Sequence, residues 1–357
     1  MRVLALAFVG LFHAATPANA FDHAALAKRA YDNIIVPGYA RFDDASRELV
    51  QKVEALCSAP SSQTLETARA AARNTLLAFG RIEPIRFGPI TQKQRLDRLL
   101  FYPDPHGIVG KQTSGLMSKQ DEASIDPEKL AAASVAVQGF GAVDAVLFGR
   151  GSEALTTADP KAAFRCRYAR ALALDISQIA HDTRAEWQGE YGKLWLHPGA
   201  QNATYLSDKE TTAALFRAYV THLDMMRLHR LAAITPGAKP TGPLLPNSRL
   251  ALAFVMAGIE GERDLIGEHG FFAEDPASTE KEQSAVAMLG SVATDLGFAI
   301  RAGEAAAAMA PDAFADPAAR ERLTPMLLSL KNAEIVGRPA LGELTGQTLG
   351  FNSLDGD

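Results

Sequence analysis

Asp144 is the one carboxylate in an apolar stretch that runs from Ala142 to Phe148. A carboxylate in such surroundings must find a partner or take up a proton, because an uncompensated buried charge is costly. Gly139 and Gly141 precede it in the same segment. A glycine inside a helix lowers its stability by about 1 kcal/mol relative to alanine, so the pair predicts that another group comes close to the backbone here. We therefore expect residues 138–149 to lie at the centre of the molecule.

The element that must position Asp144 is predicted to be one long buried helix. Asp126 is typical of a helix N-cap, and the proline and glutamate that follow it are typical of a first turn. From Leu130 onward, small or apolar residues occupy every face, which indicates a helix buried on all sides. Gly149 and Gly151 are expected to end this helix.

The same stretch resembles the central helix of the imelysin family, which carries the pattern Gly-x-His-x-x-Glu. Gly139 matches the glycine, Gly141 stands at the histidine position and Asp144 stands at the glutamate position. In the family pattern, the histidine and the acid project from one side of the helix and suit chelation of a metal ion. This chain lacks the imidazole and its acid is one methylene shorter. The resemblance therefore implies the fold more strongly than the metal chemistry.

Two further segments carry the resemblance. Glu83 and Arg86 precede a Phe-Gly-Pro sequence, residues 87–89, that is similar to a family segment with an acidic residue a few places upstream. The resemblance implies that both side chains face the central helix, whereas residue types alone favour a solvated loop with incidental charges. The last residues, 349–357, also resemble the Gly-Phe-Asn…Asp-Gly-Asp ending of some imelysin-like proteins.

The resemblance implies an exported, all-α protein of two four-helix-bundle-like halves, with the functional site at their interface. Alanine-rich segments and the scarcity of alternating β-branched runs also favour helix throughout. After the first 20 residues, we predict an N-terminal half at 21–190 and a C-terminal half at 191–357, separated near the loop-rich residues 189–206. Bundles place their sites on inward-facing side chains of adjacent helices.

The candidate ligand-binding residues are those expected to face this interface. Arg249 and Glu260 share one face of a predicted helix, and Glu260 stands between Gly258 and Gly261. The full set is Glu83, Arg86, Gln138, Gly139, Gly141, Asp144, Arg249 and Glu260. Asp144 and Glu83 are the candidate metal ligands, because carboxylate oxygens suit hard cations, including ferric iron.

A second metal hypothesis concerns a helix that carries His222, Met226 and His229 on one face. Histidine and methionine are both ligands of haem iron and copper. The alternative is a core-facing stripe with the histidines at its edge, which we favour because no partner carboxylates can be assigned from the sequence.

Three function classes follow. The first is a periplasmic protein that binds a metal ion or small polar ligand for iron uptake or handling, with envelope proteins of an iron-uptake system as partners. The second is an envelope scaffold. The third is an imelysin-type metallopeptidase, which the sequence supports least because it contains no His-Glu-x-x-His, no His-x-x-Glu and no Glu-x-x-His. A Gly-x-Ser-x-Gly nucleophile motif is absent too. The formal net charge of −5 and scattered basic residues argue against nucleic acid.

The first 20 residues are typical of a signal peptide. Arg2 supplies the basic start, residues 3–12 form a short apolar core, and the Ala-Asn-Ala sequence at 18–20 fits a cleavage site before Phe21. No later stretch is expected to be long and apolar enough to cross a membrane. In an oxidising compartment, Cys57 and Cys166 could form a disulfide, or they could remain two separate buried thiols.

We expect the mature protein to begin at Phe21, because signal peptidase cleaves after such a small-residue sequence. Amino-terminal sequencing of the protein recovered from the periplasmic fraction checks this. Retention of Met1 in that fraction would contradict it.

Overall fold

The protein is all-α. A computed structural model describes residues 21–237, 242–272 and 280–348, and no strand occurs among them. The first nine helices are α1 (His23–Ala30), α2 (Val36–Ser58), α3 (Ser62–Ile82), α4 (Arg95–Leu99), α5 (Ile108–Lys119), α6 (Pro127–Ala132), α7 (Gly139–Val143), α8 (Pro160–Gln188) and α9 (Glu190–Leu196). The remaining five are α10 (Asp208–Met225), α11 (Ala251–Ile266), α12 (Glu280–Met309), α13 (Pro317–Arg322) and α14 (Thr324–Thr345). Three π-helical segments, Tyr31–Ile35, Asp144–Phe148 and Met226–Arg230, extend α1, α7 and α10. Four short 3-10 segments are Gly88–Gln94, Glu122–Ile125, Val135–Val137 and Ser152–Thr156.

The long helix predicted from Asp126 to Gly149 does not form. Asp126 does cap α6, where its side chain accepts a hydrogen bond from the Glu128 amide at 3.2 Å. The chain then becomes extended at Ala133 and again at Gln138, and Gly139 has a positive φ of 62°. The helical pattern of the sequence is therefore divided into α6, a 3-10 turn, α7 and a π-helical segment. Tertiary contacts at Gly139, described below, accompany the second break.

The N-terminal half is built on the packing of α2 against α3 and α8. Cys57 at the end of α2 and Cys166 in α8 are joined by a disulfide, with their Cα atoms 5.7 Å apart. This bond links two long helices that are 109 residues apart in the sequence. The cysteines therefore form a covalent brace within this half.

The C-terminal half is built on α12 and α14, which pack along each other, with α11 lying against α12. The two halves meet where α11 packs on α3. The rings of Phe79 and Phe254 stack there with centroids 6.1 Å apart. A Cβ at Gly261 would lie 2.0 Å from the Arg81 carbonyl oxygen, so only glycine allows this close approach of α11 to α3. The location of the boundary at residue 190 stays a prediction.

One helix, α12, is long and apolar enough to span a membrane by length and composition. This differs from the sequence-based expectation that no such segment follows the N-terminal twenty residues. In the fold, the apolar residues Leu289, Val292 and Leu296 of α12 are completely buried. Core helices of globular domains meet the same criterion of length and composition.

Two sequence-based expectations lie outside the described residues. They are the signal peptide at residues 1–20 and the family-like ending at residues 349–357.

Loss of the disulfide should destabilise the protein measurably. We expect Cys57→Ser/Cys166→Ser to lower the free energy of unfolding by about 2–5 kcal/mol, because a disulfide that closes a long loop restricts the unfolded chain. Urea unfolding followed by circular dichroism measures the difference. Reductant should reproduce the loss in the wild type and have no effect on the double variant. Equal midpoints for wild type and variant would contradict the prediction.

Candidate functional site

Asp144 is buried and fully engaged by the protein itself. It begins the π-helical segment after α7, and its residue is 3% exposed. Its Oδ2 accepts hydrogen bonds from the backbone amide of Asn247 at 3.0 Å and from the Asn247 side-chain amide at 2.7 Å. Its Oδ1 accepts from the Ser248 amide at 2.8 Å. Both oxygens therefore hold the segment that leads into α11.

This segment, residues 242–250, is here called the anchored loop. Two of its non-glycine residues, Leu245 and Arg249, have positive φ values of 48° and 59°. Such conformations are unfavourable for residues with a Cβ and persist only where surrounding contacts hold them. The three hydrogen bonds to Asp144 lie between these two residues in the sequence. Asp144 therefore acts as the fixed point that holds the loop in a strained conformation.

The two glycines have different roles. A Cβ at Gly139 would lie 2.1 Å from the Arg98 carbonyl oxygen and 2.2 Å from that of Leu99, so the backbone of α7 must be bare there. A Cβ at Gly141 would lie 3.0 Å from Cγ1 of Val109 in α5. Part of the space that a histidine would need at position 141 is therefore filled by α5.

Gln138 belongs to a different contact set. Its side-chain oxygen accepts a hydrogen bond from Nε of Arg98 at 2.8 Å, and its amide donates to the Ala133 carbonyl at 2.9 Å. Arg98 also forms a short ion pair with Asp175 of α8. Gln138 thus fixes the turn before α7, and its side-chain contacts do not include Asp144 or the anchored loop.

Glu83 lies at the junction of the two halves, directly after α3. Its residue is 2% exposed, and its Oε1 accepts from Arg230 at 2.7 Å and from Arg86 at 3.0 Å. The Arg230 guanidinium carbon lies 5.0 Å from the ring centroid of Tyr102 and 5.1 Å from that of Phe254. Charge and cation–π contacts together fix Arg230 between the halves.

His222 extends this cluster into the C-terminal half. Its Nδ1 lies 2.6 Å from Oε1 of Glu262, and its Nε2 forms an ion pair with Oε2 of Glu83 at 3.6 Å. His222 and Glu262 are completely buried. The structure confirms that His222 faces the core. The sequence did not indicate that its partners there are two glutamates.

The electrostatics favour a protonated His222 between two carboxylates. Burial by itself would raise the pKa of Glu83, but Arg230, His222 and Arg86 outweigh burial and lower that pKa to about 2. Burial likewise works against the charged imidazole, yet the contacts with Glu262 and Glu83 raise the pKa of His222. Burial raises the pKa of Glu262, against the effect of His222. We call Glu83, Arg230, His222 and Glu262 the buried charge cluster.

Sequence reasoning missed Glu262 and Arg230. It singled out Glu260, two residues away, because glycines flank it. Glu260 is 44% exposed at its side chain and pairs with Arg81 at 3.3 Å on the surface. The signal for Glu262 was its place among the apolar residues of α11, which would have positioned it towards the core.

Arg249 is exposed and lines a cavity whose described walls come, apart from Tyr102, from the C-terminal half. Its side chain makes no hydrogen bond or ion pair within residues 21–237, 242–272 and 280–348. The cavity has a volume of about 380 Å³, and it is lined by the anchored loop together with Tyr102, Arg230, Leu252, Asp312 and Phe314. A smaller space of about 170 Å³, lined by Gly141 and Asp144, shares Tyr102 and part of the anchored loop with it.

The predicted single cleft is thus divided by the fold. Glu83 and Arg86 lie in or beside the buried charge cluster, and Asp144 holds the anchored loop. Gln138 bonds Arg98, while Glu260 is on the surface.

These arrangements do not fit a metal ion. The part of the chain that the structure describes contains no group of three or more His, Cys, Asp or Glu residues placed to hold one. Both carboxylate oxygens of Asp144 accept hydrogen bonds from protein donors, and Glu83 is paired with two arginines. A cation there would meet guanidinium charge in place of free carboxylate oxygens.

The buried charge cluster should give stability a characteristic pH dependence. The raised pKa of His222 means that its contribution is complete below about pH 6.5, its ordinary value, and is lost as pH rises through the folded-state pKa. The lowered pKa of Glu83 means that its contribution is present above pH 4.5 and is lost as pH falls towards 2. We expect His222→Gln to lose about 3–5 kcal/mol near pH 6, because it removes the charged partner of the buried Glu262 and one of the three partners of Glu83.

Urea unfolding between about pH 5 and pH 9, which brackets the histidine range, measures the contribution of His222. The contribution of Glu83 is measured separately between pH 4.5 and about 2. The difference between wild type and His222→Gln should shrink as pH rises. His106→Gln, at an exposed turn residue, is the control and should match the wild type. A difference that is independent of pH would contradict a protonated His222.

Comparison with known proteins places these features in a family. The imelysin family model (peptidase M75) matches residues 35–264 of this chain. A search of curated protein sequences gives no match.

Two solved structures share the fold. An imelysin-like protein from Psychrobacter arcticum 273-4 is 19% identical, with a TM-score of 0.74, over 93% of this chain and 99% of that one. A protein described as an iron-regulated protein A precursor, from Parabacteroides distasonis ATCC 8503, is 14% identical with a TM-score of 0.67. That match covers 90% of this chain and 95% of the other. The family match over most of the chain, together with the helical fold, shows that this protein belongs to the imelysin family.

Proposed function

We propose that this chain is an exported, periplasmic binding protein of the imelysin family that serves iron uptake or handling and has no peptidase activity. The observation that carries the proposal is the use of Asp144. The residue at the family's acid position holds the anchored loop, and this loop lines both the cavity of about 380 Å³ and the smaller space between the halves beside Asp144. Preformed cavities between the helices of a bundle are where such proteins bind ligands.

The link to iron and to export is supported by one structural neighbour. One structural neighbour is described as an iron-regulated protein A precursor. A precursor is a protein that is processed to a mature form, which agrees with the signal-like residues 1–20 of this chain. The ligand would bind in the cavity itself, since Asp144 and Glu83 offer no free pair of oxygens for a bare ion.

A peptidase function has little support. Hydrolysis by a metal-bound water needs several protein ligands, an open coordination position and a base. Within residues 21–237, 242–272 and 280–348, no cluster supplies the ligands. Gly141 cannot replace the imidazole of the family motif.

A scaffold function is the second candidate, and one observation favours it. Large apolar side chains are exposed on the outer faces of α12 and α14: Phe298 is 52%, Leu328 61% and Ile335 60% exposed. A hydrogen bond from Asn332 to Asp295 joins the two helices beside these residues. Exposed apolar residues grouped in this way are typical of a surface that contacts another protein.

Metal analysis of protein purified from the periplasm without a chelating tag separates these functions. Co-purified iron would favour the binding function, and stoichiometric zinc would favour the peptidase function. Protein without bound metal or small ligand would favour the scaffold function.

Restoring the family histidine should not by itself create a metal site. We expect Gly141→His to destabilise the protein by about 1–3 kcal/mol, because the new Cβ would lie 3.0 Å from Cγ1 of Val109. Thermal melts of wild type and variant, each with and without Fe and Zn, measure this. Gly141→Ala, which adds only a Cβ, is the matched control and should cost less.

The same melts test where a metal could bind. We expect neither wild type nor Gly141→His to gain stability from Fe or Zn. Stabilisation of the wild type by iron that disappears in Asp144→Asn would contradict the assignment of Asp144 as an anchor. Metal-dependent stabilisation in Gly141→His alone would show that Asp144 can leave the loop and chelate.

A further inference from the structure

We propose that the cavity beside the anchored loop binds a small molecule with an anionic head group, a carboxylate or phosphate, on an apolar body, and that Arg249 contacts the head group. This inference rests on the proposed binding function and adds the chemical class of the ligand.

The walls of the cavity favour an apolar body. Its volume of about 380 Å³ is within the range of small-molecule sites, roughly 300–1,000 Å³. Leu244, Leu245, Leu252 and Phe314 contribute to the walls. Of these, Leu244, Leu245 and Leu252 are less than a tenth exposed, so their side chains are held by the fold and present a preformed surface.

Arg249 supplies the charge. It lines the cavity, and no carboxylate among the described residues forms an ion pair with it. A guanidinium presents donors in a planar fork that matches carboxylate and phosphate oxygens. The backbone of Arg249 is in a strained conformation with φ 59°.

The strain at Arg249 is held by a buried group. Asp144 bonds the two preceding residues, Asn247 and Ser248, and thereby fixes the backbone from which Arg249 projects. A fixed backbone reduces the entropy that a ligand must overcome on binding. Positive φ at non-glycine residues is concentrated at binding and active sites for this reason.

Two other charged groups belong to the wall. Arg230 is paired with Glu83 and stacked between two rings, so its charge is largely neutralised. Asp312 accepts a hydrogen bond from the Ala315 amide at 3.1 Å through Oδ1 and keeps its negative charge. Arg249 is therefore the positive charge most available to a ligand in this cavity. The overall charge of the protein does not attract an anion, because the formal net charge is −5, so the attraction must come from Arg249 itself.

This ligand class is compatible with a role in iron handling. Ferric iron is a hard cation that prefers oxygen donors. A cavity with an available arginine and no free carboxylate pair suits a complexed iron whose chelator carries negative charge better than a bare ion.

Three probes with the same apolar chain and different head groups test the proposal: octanoate, octanol and octylammonium. Saturation-transfer NMR titrations give the Kd of each for the full chain. Arg249→Gln removes the proposed contact, and Arg263→Gln, an exposed arginine on α11 that does not line the cavity, is the matched control. Ala315→Trp fills the cavity from an exposed wall position. Circular dichroism confirms that each variant is folded.

We expect octanoate to bind the wild type more tightly than the other probes, and to bind Arg249→Gln roughly tenfold more weakly, since a charge-assisted hydrogen bond is lost. Octanol should be unaffected by Arg249→Gln, and Arg263→Gln should match the wild type. Ala315→Trp should weaken every probe.

The proposal is overturned if octanol or octylammonium binds as tightly as octanoate, if Arg249→Gln leaves octanoate binding unchanged, or if octanoate does not bind. Where octanol or octylammonium binds and Ala315→Trp abolishes that binding, the cavity remains a ligand site and only the anionic class fails. Where probes bind and Ala315→Trp changes nothing, the cavity is not the ligand site and the proposed binding function fails as well.

Discussion

The buried carboxylate of Glu83 is the constraint on which the junction between the halves depends. A carboxylate that is almost completely buried needs compensating charge, and removal of one partner from such a pair typically costs about 3–5 kcal/mol. Glu83 obtains its compensation from the other half of the molecule, through Arg230 and His222. Its own half adds Arg86. The two bundles are therefore joined by a specific set of charges as well as by apolar packing of α3 on α11.

The same cluster shapes the cavity. Arg230 pairs with Glu83 and is stacked between Tyr102 and Phe254, so its position in the cavity wall follows from contacts on three sides. The hydroxyl of Tyr102 lies 3.2 Å from the His229 carbonyl oxygen and 3.1 Å from that of Gly242 and can donate its one proton to either, which ties the start of the anchored loop to the end of the α10 segment. The wall of the cavity is thus a consequence of how the halves are held together.

Asp144 shows how the residue at the family's acid position can serve as a structural anchor. A metal site requires several ligands at once, and the loss of one imidazole at position 141 removes much of its affinity. An anchor requires only an acceptor close to backbone donors, and Asp144 meets that need with three hydrogen bonds. The free guanidinium of Arg249 next to this anchor disfavours a cation and favours an anion. Asp144, the anchored loop and Arg249 together therefore suit the binding of an anion, whereas the family motif suits the binding of a metal ion.

The sequence by itself determined the helical class, the family and the burial of Asp144, because composition, helix caps and a run of apolar residues are local properties. It also identified Glu83 through a family-like segment and predicted a close approach to the backbone at Gly139. Only the tertiary structure decided which groups meet. The helix after Asp126 is broken because α7 must pass the Arg98 and Leu99 carbonyls, and Glu262, not Glu260, faces His222 because α11 turns that side to α10. The partner of a buried charge comes from a distant part of the chain, so its identity depends on packing geometry that residue spacing does not contain.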